Sequence, residues 1–82
     1  MKIVKLYDIT KKVRYLDESV NVPEYTVYLA INKNGELYAY PFIPHISAGE
    51  SFWRDNSQEA VALGIVKDFG NWKKSLREVR VA

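Results

Sequence analysis

The segment EYTVYLAINKNGELYAYPF, residues 24–42, constrains the fold of this chain more than any other. Tyr25, Val27, Leu29 and Ile31 alternate with Thr26, Tyr28 and Ala30, so the run reads as a strand with two distinct faces. Leu37, Ala39 and Pro41 alternate with Tyr38, Tyr40 and Phe42 on the far side of Asn34-Gly35. An Asn-Gly pair supplies the positive φ angles of a tight hairpin. Tyr28 then faces Tyr38 or Tyr40, depending on register, and such aromatic pairs stabilise a sheet modestly. Pro41 has no amide hydrogen to give a ladder, so the return strand ends there or lies at an edge.

The rest of the chain reads around this hairpin. KIVKLYDI, residues 2–9, has the β-branched and aromatic content of a strand. KKVRYLD, residues 11–17, reads as a second short strand, and DESVNVPE, residues 17–24, as a polar loop. PHISAGES, residues 44–51, is a loop by composition, with Phe52 and Trp53 anchoring it to the core. Asn56 and Glu59 have capping-box spacing, with Ser57 as the alternative cap. Val61, Ile65 and Phe69 follow at i, i+4 and i+8, with Gly70 at the C-terminal cap. A helix is expected there, although AVALGIV with its internal glycine also passes as a strand. NWKKSLREV, residues 71–79, has Asn71 as a cap and Trp72, Leu76 and Val79 on one face, as a short helix or the start of a last strand. The expected fold class is α+β: a small antiparallel sheet of three to four strands with one or two short C-terminal helices packed on one face.

With 82 residues the chain is expected to form a single domain, residues 1–82. A core this thin is filled efficiently by large aromatics, and Trp53 and Trp72 are expected to be largely buried. There is no cysteine, where small secreted domains are usually stapled by disulfides, so a cytoplasmic location is expected. No run approaches the roughly 18 apolar residues of a membrane span. The net charge of +2 is segregated: residues 1–14 sum to +4, residues 15–72 to −5 and residues 73–82 to +3. If the termini adjoin, Lys11, Lys12, Arg14, Lys73, Lys74, Arg77 and Arg80 form one basic patch.

Catalytic signatures are weak. His45 is the only histidine, and although Ser47, Glu50, Ser51 and Asp55 are near in sequence, a histidine beside a proline reads as a polar loop residue. One histidine, no cysteine and scattered carboxylates do not make a metal site. The glycines fit neither GxGxxG nor GxxxxGK[ST]. A non-enzymatic protein with no cofactor is expected.

Two binding functions remain. Interface cores are enriched in Tyr, Trp and Phe. Tyr28, Tyr38, Tyr40, Phe42 and His45, on the hairpin and the stiff PFIPHI loop, are the candidate contacts to a protein partner, which includes a second copy of the chain. The acidic middle adds steering toward a basic partner. The alternative is single-stranded nucleic acid stacked on the sheet tyrosines and held by the basic termini. Against it, Lys33 is the only positive charge between Arg14 and Arg54. In size, lack of cysteine and density of tyrosine and lysine, the whole chain resembles small accessory proteins of bacteriophages and mobile elements. That resemblance rests on no motif, and implies a non-catalytic protein, such as an inhibitor, that binds a host macromolecule.

Overall fold

A computed structural model describes residues 10–80. The strand expected over residues 2–9 lies outside them. Six strands follow in order: β1 (Thr10–Tyr15), β2 (Glu18–Pro23), β3 (Tyr28–Ile31), β4 (Glu36–Tyr40), β5 (Val61–Ile65) and β6 (Arg77–Glu78). They form an antiparallel pair, β1-β2, and an antiparallel sheet of four, ordered β5-β4-β3-β6. The α+β expectation is therefore wrong. Among the described residues the helical content is one 3₁₀ turn, Trp72–Lys74, and no C-terminal helix packs on the sheet.

The region read as a polar loop is β2. Its register sets Val13 opposite Val20 and Lys11 opposite Val22. Val13, Tyr15 and Val22 are buried while Lys12, Arg14, Ser19 and Asn21 are exposed, the alternation of a half-buried hairpin. Leu16 and Asp17 make the turn with φ of 47° and 67°. Two successive left-handed residues give the strand twist of a two-residue hairpin. Leucine rarely takes that conformation, so the turn carried no sequence signal.

The β3-β4 hairpin forms as expected, in the register Tyr28↔Tyr40 and Ala30↔Tyr38. Its turn differs in one respect. Only Gly35 takes a positive φ, 93°, and Asn34 does not. Gly35 N–H donates to Asn32 O and Asn32 N–H donates to Glu36 O, each at 2.8 Å, which closes a three-residue loop, Lys33-Asn34-Gly35. The Asn34 carboxamide accepts from Glu36 N–H at 3.0 Å and steadies the turn.

The helix expected from residue 55 onward is β5. Asp55, and not Asn56, organises its approach: the carboxylate accepts from the Ser57 amide and hydroxyl at 3.2 and 2.8 Å. Three β-branched residues, Val61, Ile65 and Val66, together with Gly64, favour an extended chain once β4 offers a free edge. The last expected helix stops after one turn. Asn71 does cap it, accepting from Lys73 N–H at 3.0 Å. Ser75 then ties the chain to β3, and Arg77 and Glu78 pair with Leu29 and Tyr28.

The core lies between the two sheets. Val13, Tyr15 and Val22 of the hairpin pack against Leu29, Ile31, Leu37, Ala39 and Val79, flanked by Val20, Leu63, Val66 and Phe69. The opposite face of the larger sheet carries Tyr28, Ala30, Tyr38 and Tyr40, and the β4-β5 loop folds over part of it.

Candidate protein-binding surface

The long β4-β5 loop is built outward from Trp53. Its indole N–H donates to Ile31 O at 3.1 Å, and its backbone N–H donates to the Asn32 carboxamide at 2.7 Å. Trp72 meets its ring edge-on at 6.4 Å. Both tryptophans are mostly covered but keep a partly exposed edge, in line with the expectation that they are largely buried, and each seals the rim of the core. Trp53 thus acts as the expected anchor, whereas Phe52 stays 37% exposed beneath the Arg54 guanidinium, 5.4 Å from its ring centre.

A second clamp closes the loop on itself. His45 N–H donates to Arg54 O at 2.8 Å and Arg54 N–H donates to His45 O at 2.9 Å. Lys33 N–H also donates to Ser51 O at 3.2 Å. Between this clamp and the end of β4, Pro41 and Pro44 bracket Phe42 and Ile43, each 62% exposed. The prolines fix two φ angles, so a stiff tip presents an aromatic and an aliphatic side chain to water.

The tyrosines expected as one platform are divided by the fold. Tyr28 and Tyr38 are half-buried, and Tyr40 is only 1% exposed, its hydroxyl donating to Trp53 O at 3.2 Å. Tyr38 tilts against Tyr40 at 6.2 Å. Burial pushes the Tyr40 phenol well above its ordinary range, and the negative charge of Asp55 pushes the same way. Tyr40 is therefore a packing residue, not a contact for a partner. Phe42 and His45 are exposed on the loop. Ile43, which composition did not single out, shares the tip with Phe42; its signal was its position between two prolines.

An open groove runs between the outer face of β4 and residues 51–60, with Glu36, Tyr38, Phe52, Arg54 and Asp55 in its walls. Lys33 and Ser51 separate it from a shallower hollow that Trp72 and Lys73 also line. Lys33, Glu36, Arg54 and Asp55 put charges of both signs in the walls of the groove. Among the described residues no three His, Asp or Glu side chains gather at metal-binding distance.

The expected basic residues divide between β1 and the C-terminal segment. Lys12, Arg14, Lys73, Lys74, Arg77 and Arg80 are exposed and Lys11 is half-buried. The end of β1 meets the C-terminal segment where the Tyr15 hydroxyl donates to Ser75 O at 2.8 Å. Burial raises the Tyr15 phenol pKa, while the Ser75 side chain and the Arg77 charge act in the opposite direction. Arg77 itself donates to Lys74 O and Leu76 O at 2.7 and 2.8 Å, and Arg80 pairs with Glu78 at 3.2 Å. No described helix is long and apolar enough to cross a membrane.

The chain matches no protein family, no characterised protein and no solved structure, so its functional reading rests on these residues alone.

Proposed function

We propose that this is a small non-enzymatic module that binds another protein through the tip of the β4-β5 loop. The observation that carries this reading is the exposure of Phe42 and Ile43, 62% each, on a loop held by two prolines, a paired backbone bridge and Trp53. Keeping this much of two large apolar side chains in water forgoes about 1–2 kcal/mol apiece of burial. A partner recovers that energy with little ordering cost, because the loop is already fixed. Phe52, with Arg54 over its ring, is another exposed apolar side chain of the same loop, of residue types favoured at interfaces. An inhibitor or accessory role fits a domain of this size.

Nucleic-acid binding is the second reading. It is favoured by the Tyr15–Ser75 contact, which joins the basic strand β1 to the basic segment 73–80. Salt separates the two, because each phosphate contact releases counterions and a contact through apolar side chains does not.

The test is a partner captured with the wild-type chain and re-measured with Phe42→Ser/Ile43→Ser and with Lys73→Glu/Lys74→Glu/Arg77→Glu. The loop variant should lose at least about tenfold in affinity with an unchanged melting temperature, and the charge variant should bind normally. Tight binding to single-stranded DNA or RNA at physiological salt, abolished by charge reversal and untouched by the loop variant, would transfer the function to the basic surface.

A further inference from the structure

Asn32 carries a hydrogen-bond donor that the fold leaves unused. It follows Ile31 of β3, whose side chain enters the core, so its own side chain leaves on the outer face of the larger sheet. It is 7% exposed. The carboxamide oxygen accepts from Trp53 N–H at 2.7 Å, which fixes the orientation of the group. The NH2 has no acceptor among the described residues. It is not sealed in, because the one enclosed side-chain polar atom without a partner among them is Thr26 Oγ1. Asn32 therefore directs a free donor into the groove beside β4, whose lining it joins. A ligand oxygen placed there completes its hydrogen bonding.

The rest of the groove has the same chemistry. The chain has six carboxamide side chains, Asn21, Asn32, Asn34, Asn56, Gln58 and Asn71, and four of them line this one groove. Asn56 and Gln58 hold no side-chain hydrogen bond to a described residue. Gln58 sits there with φ of 60°, a conformation rare for its type and found more often at ligand-binding sites. Glu36 lies next to Asn32, whose N–H donates to Glu36 O at 2.8 Å, and Asn34 holds one oxygen of its carboxylate at 2.7 Å. A donor and an acceptor thus stand side by side on the floor. Tyr38 lies between Ala30 and Ala62 in the sheet, so no bulky cross-strand neighbour covers its ring.

We propose that this groove binds a neutral saccharide chain. Sugar hydroxyls both donate and accept, as carboxamides do, and a neighbouring donor and acceptor match two adjacent hydroxyls. The C–H groups on one face of a sugar ring are apolar and rest on the negative face of an aromatic ring, here Tyr38. The charges in the walls balance, Lys33 and Arg54 against Glu36 and Asp55, where a phosphate-bearing ligand calls for an excess of cations. The groove has a volume of about 1060 Å³ and is open, so it exceeds the roughly 300–1,000 Å³ of a small-ligand pocket and suits several linked sugar units. Phe42 and Ile43 do not line it, so this site is independent of the loop tip.

The test is titration of the full chain with neutral tetrasaccharides of glucose, mannose, galactose and N-acetylglucosamine, followed by side-chain amide NMR and calorimetry. At least one should shift the NH2 resonances of Asn32, Asn56 and Gln58, with the same affinity at low and high salt. Tyr38→Ala should weaken that binding at least about tenfold. Asn56→Ala/Gln58→Gly removes two wall amides at exposed positions and eases the backbone at residue 58, so it reports even if Tyr38→Ala folds poorly; it should weaken binding too. Phe42→Ser/Ile43→Ser should leave it unchanged. Amide resonances that no tetrasaccharide moves at millimolar concentration, affinity that survives either groove variant in a folded chain, or a shift produced by guanosine monophosphate in place of the saccharides would overturn the proposal.

Discussion

Ser75 shows how much of this structure rests on single polar atoms. It is 3% exposed. Its hydroxyl accepts from Ile31 N–H at 2.8 Å and donates to Trp72 O at 2.7 Å, with Ile31 O also within reach at 3.2 Å. Its carbonyl accepts from Tyr15, so strand β1, strand β3 and the 3₁₀ turn meet at one residue. Ser75→Ala deletes the hydroxyl and leaves the buried Ile31 amide without a partner. The expected cost is about 1–3 kcal/mol, read as a lower urea midpoint with an unchanged slope. Asn71, four residues earlier, was legible as a cap because its partner is local. Ser75 was not, because Ile31 lies 44 residues away in sequence.

At the scale of elements, local signals succeeded where the turn chemistry was ordinary and failed where a neighbour decided. The β3-β4 hairpin was readable because a glycine sits where the backbone needs a positive φ. Gly35 also lets β5 approach: a β-carbon there would lie 2.8 Å from Val66 O, and Val66 N–H donates to Gly35 O at 2.8 Å. Gly35→Ala therefore pays the left-handed penalty of about 1–2 kcal/mol and pushes β5 away from the turn. Lower thermal stability, with faster hydrogen exchange at the Val66 amide than at Leu29, is the expected result. The β5 segment itself carried both periods. Val61 and Ile65 have helical spacing, yet they lie on opposite faces of a strand, because the bulge at Leu63 changes the alternation between them. No window of sequence reports that β4 has an edge to fill. The β1-β2 hairpin was half-read for a different reason. Its exposed face, with Ser19 and Asn21, gave β2 the composition of a loop, and Val20 and Val22 alone marked the buried face.

Across the whole molecule the same packing sets the response to pH. Burial raises the pKa of Tyr15 and Tyr40 in the folded chain, whereas phenols in an unfolded chain ionise near the ordinary value of 10.0. Above that pH the unfolded state loses protons that the folded state keeps, so stability falls as pH rises. Below it both states keep the protons and the contribution is complete. Urea midpoints are expected to be flat from about pH 7 to 9 and to drop beyond about pH 10. The drop should be shallower in Tyr40→Phe, which has no phenol to ionise at that site. An equal alkaline slope in Tyr40→Phe would assign the loss to other groups.

Sequence alone determined the β3-β4 hairpin, the cap at Asn71, the anchoring of the long loop by Trp53 and the segregation of charge toward the two ends. Each is a local property, carried by a turn residue, a capping side chain, a large aromatic in a polar stretch or a run of like charge. Only the tertiary structure decided that residues 61–65 are a strand, that one face of residues 18–23 is buried, and that Tyr40 is packed while Phe42 and Ile43 are exposed. Those choices depend on which surface a segment finds to cover. β5 is extended because β4 presents an unpaired edge, and Tyr40 is enclosed because Trp53 reaches back across the sheet to Ile31.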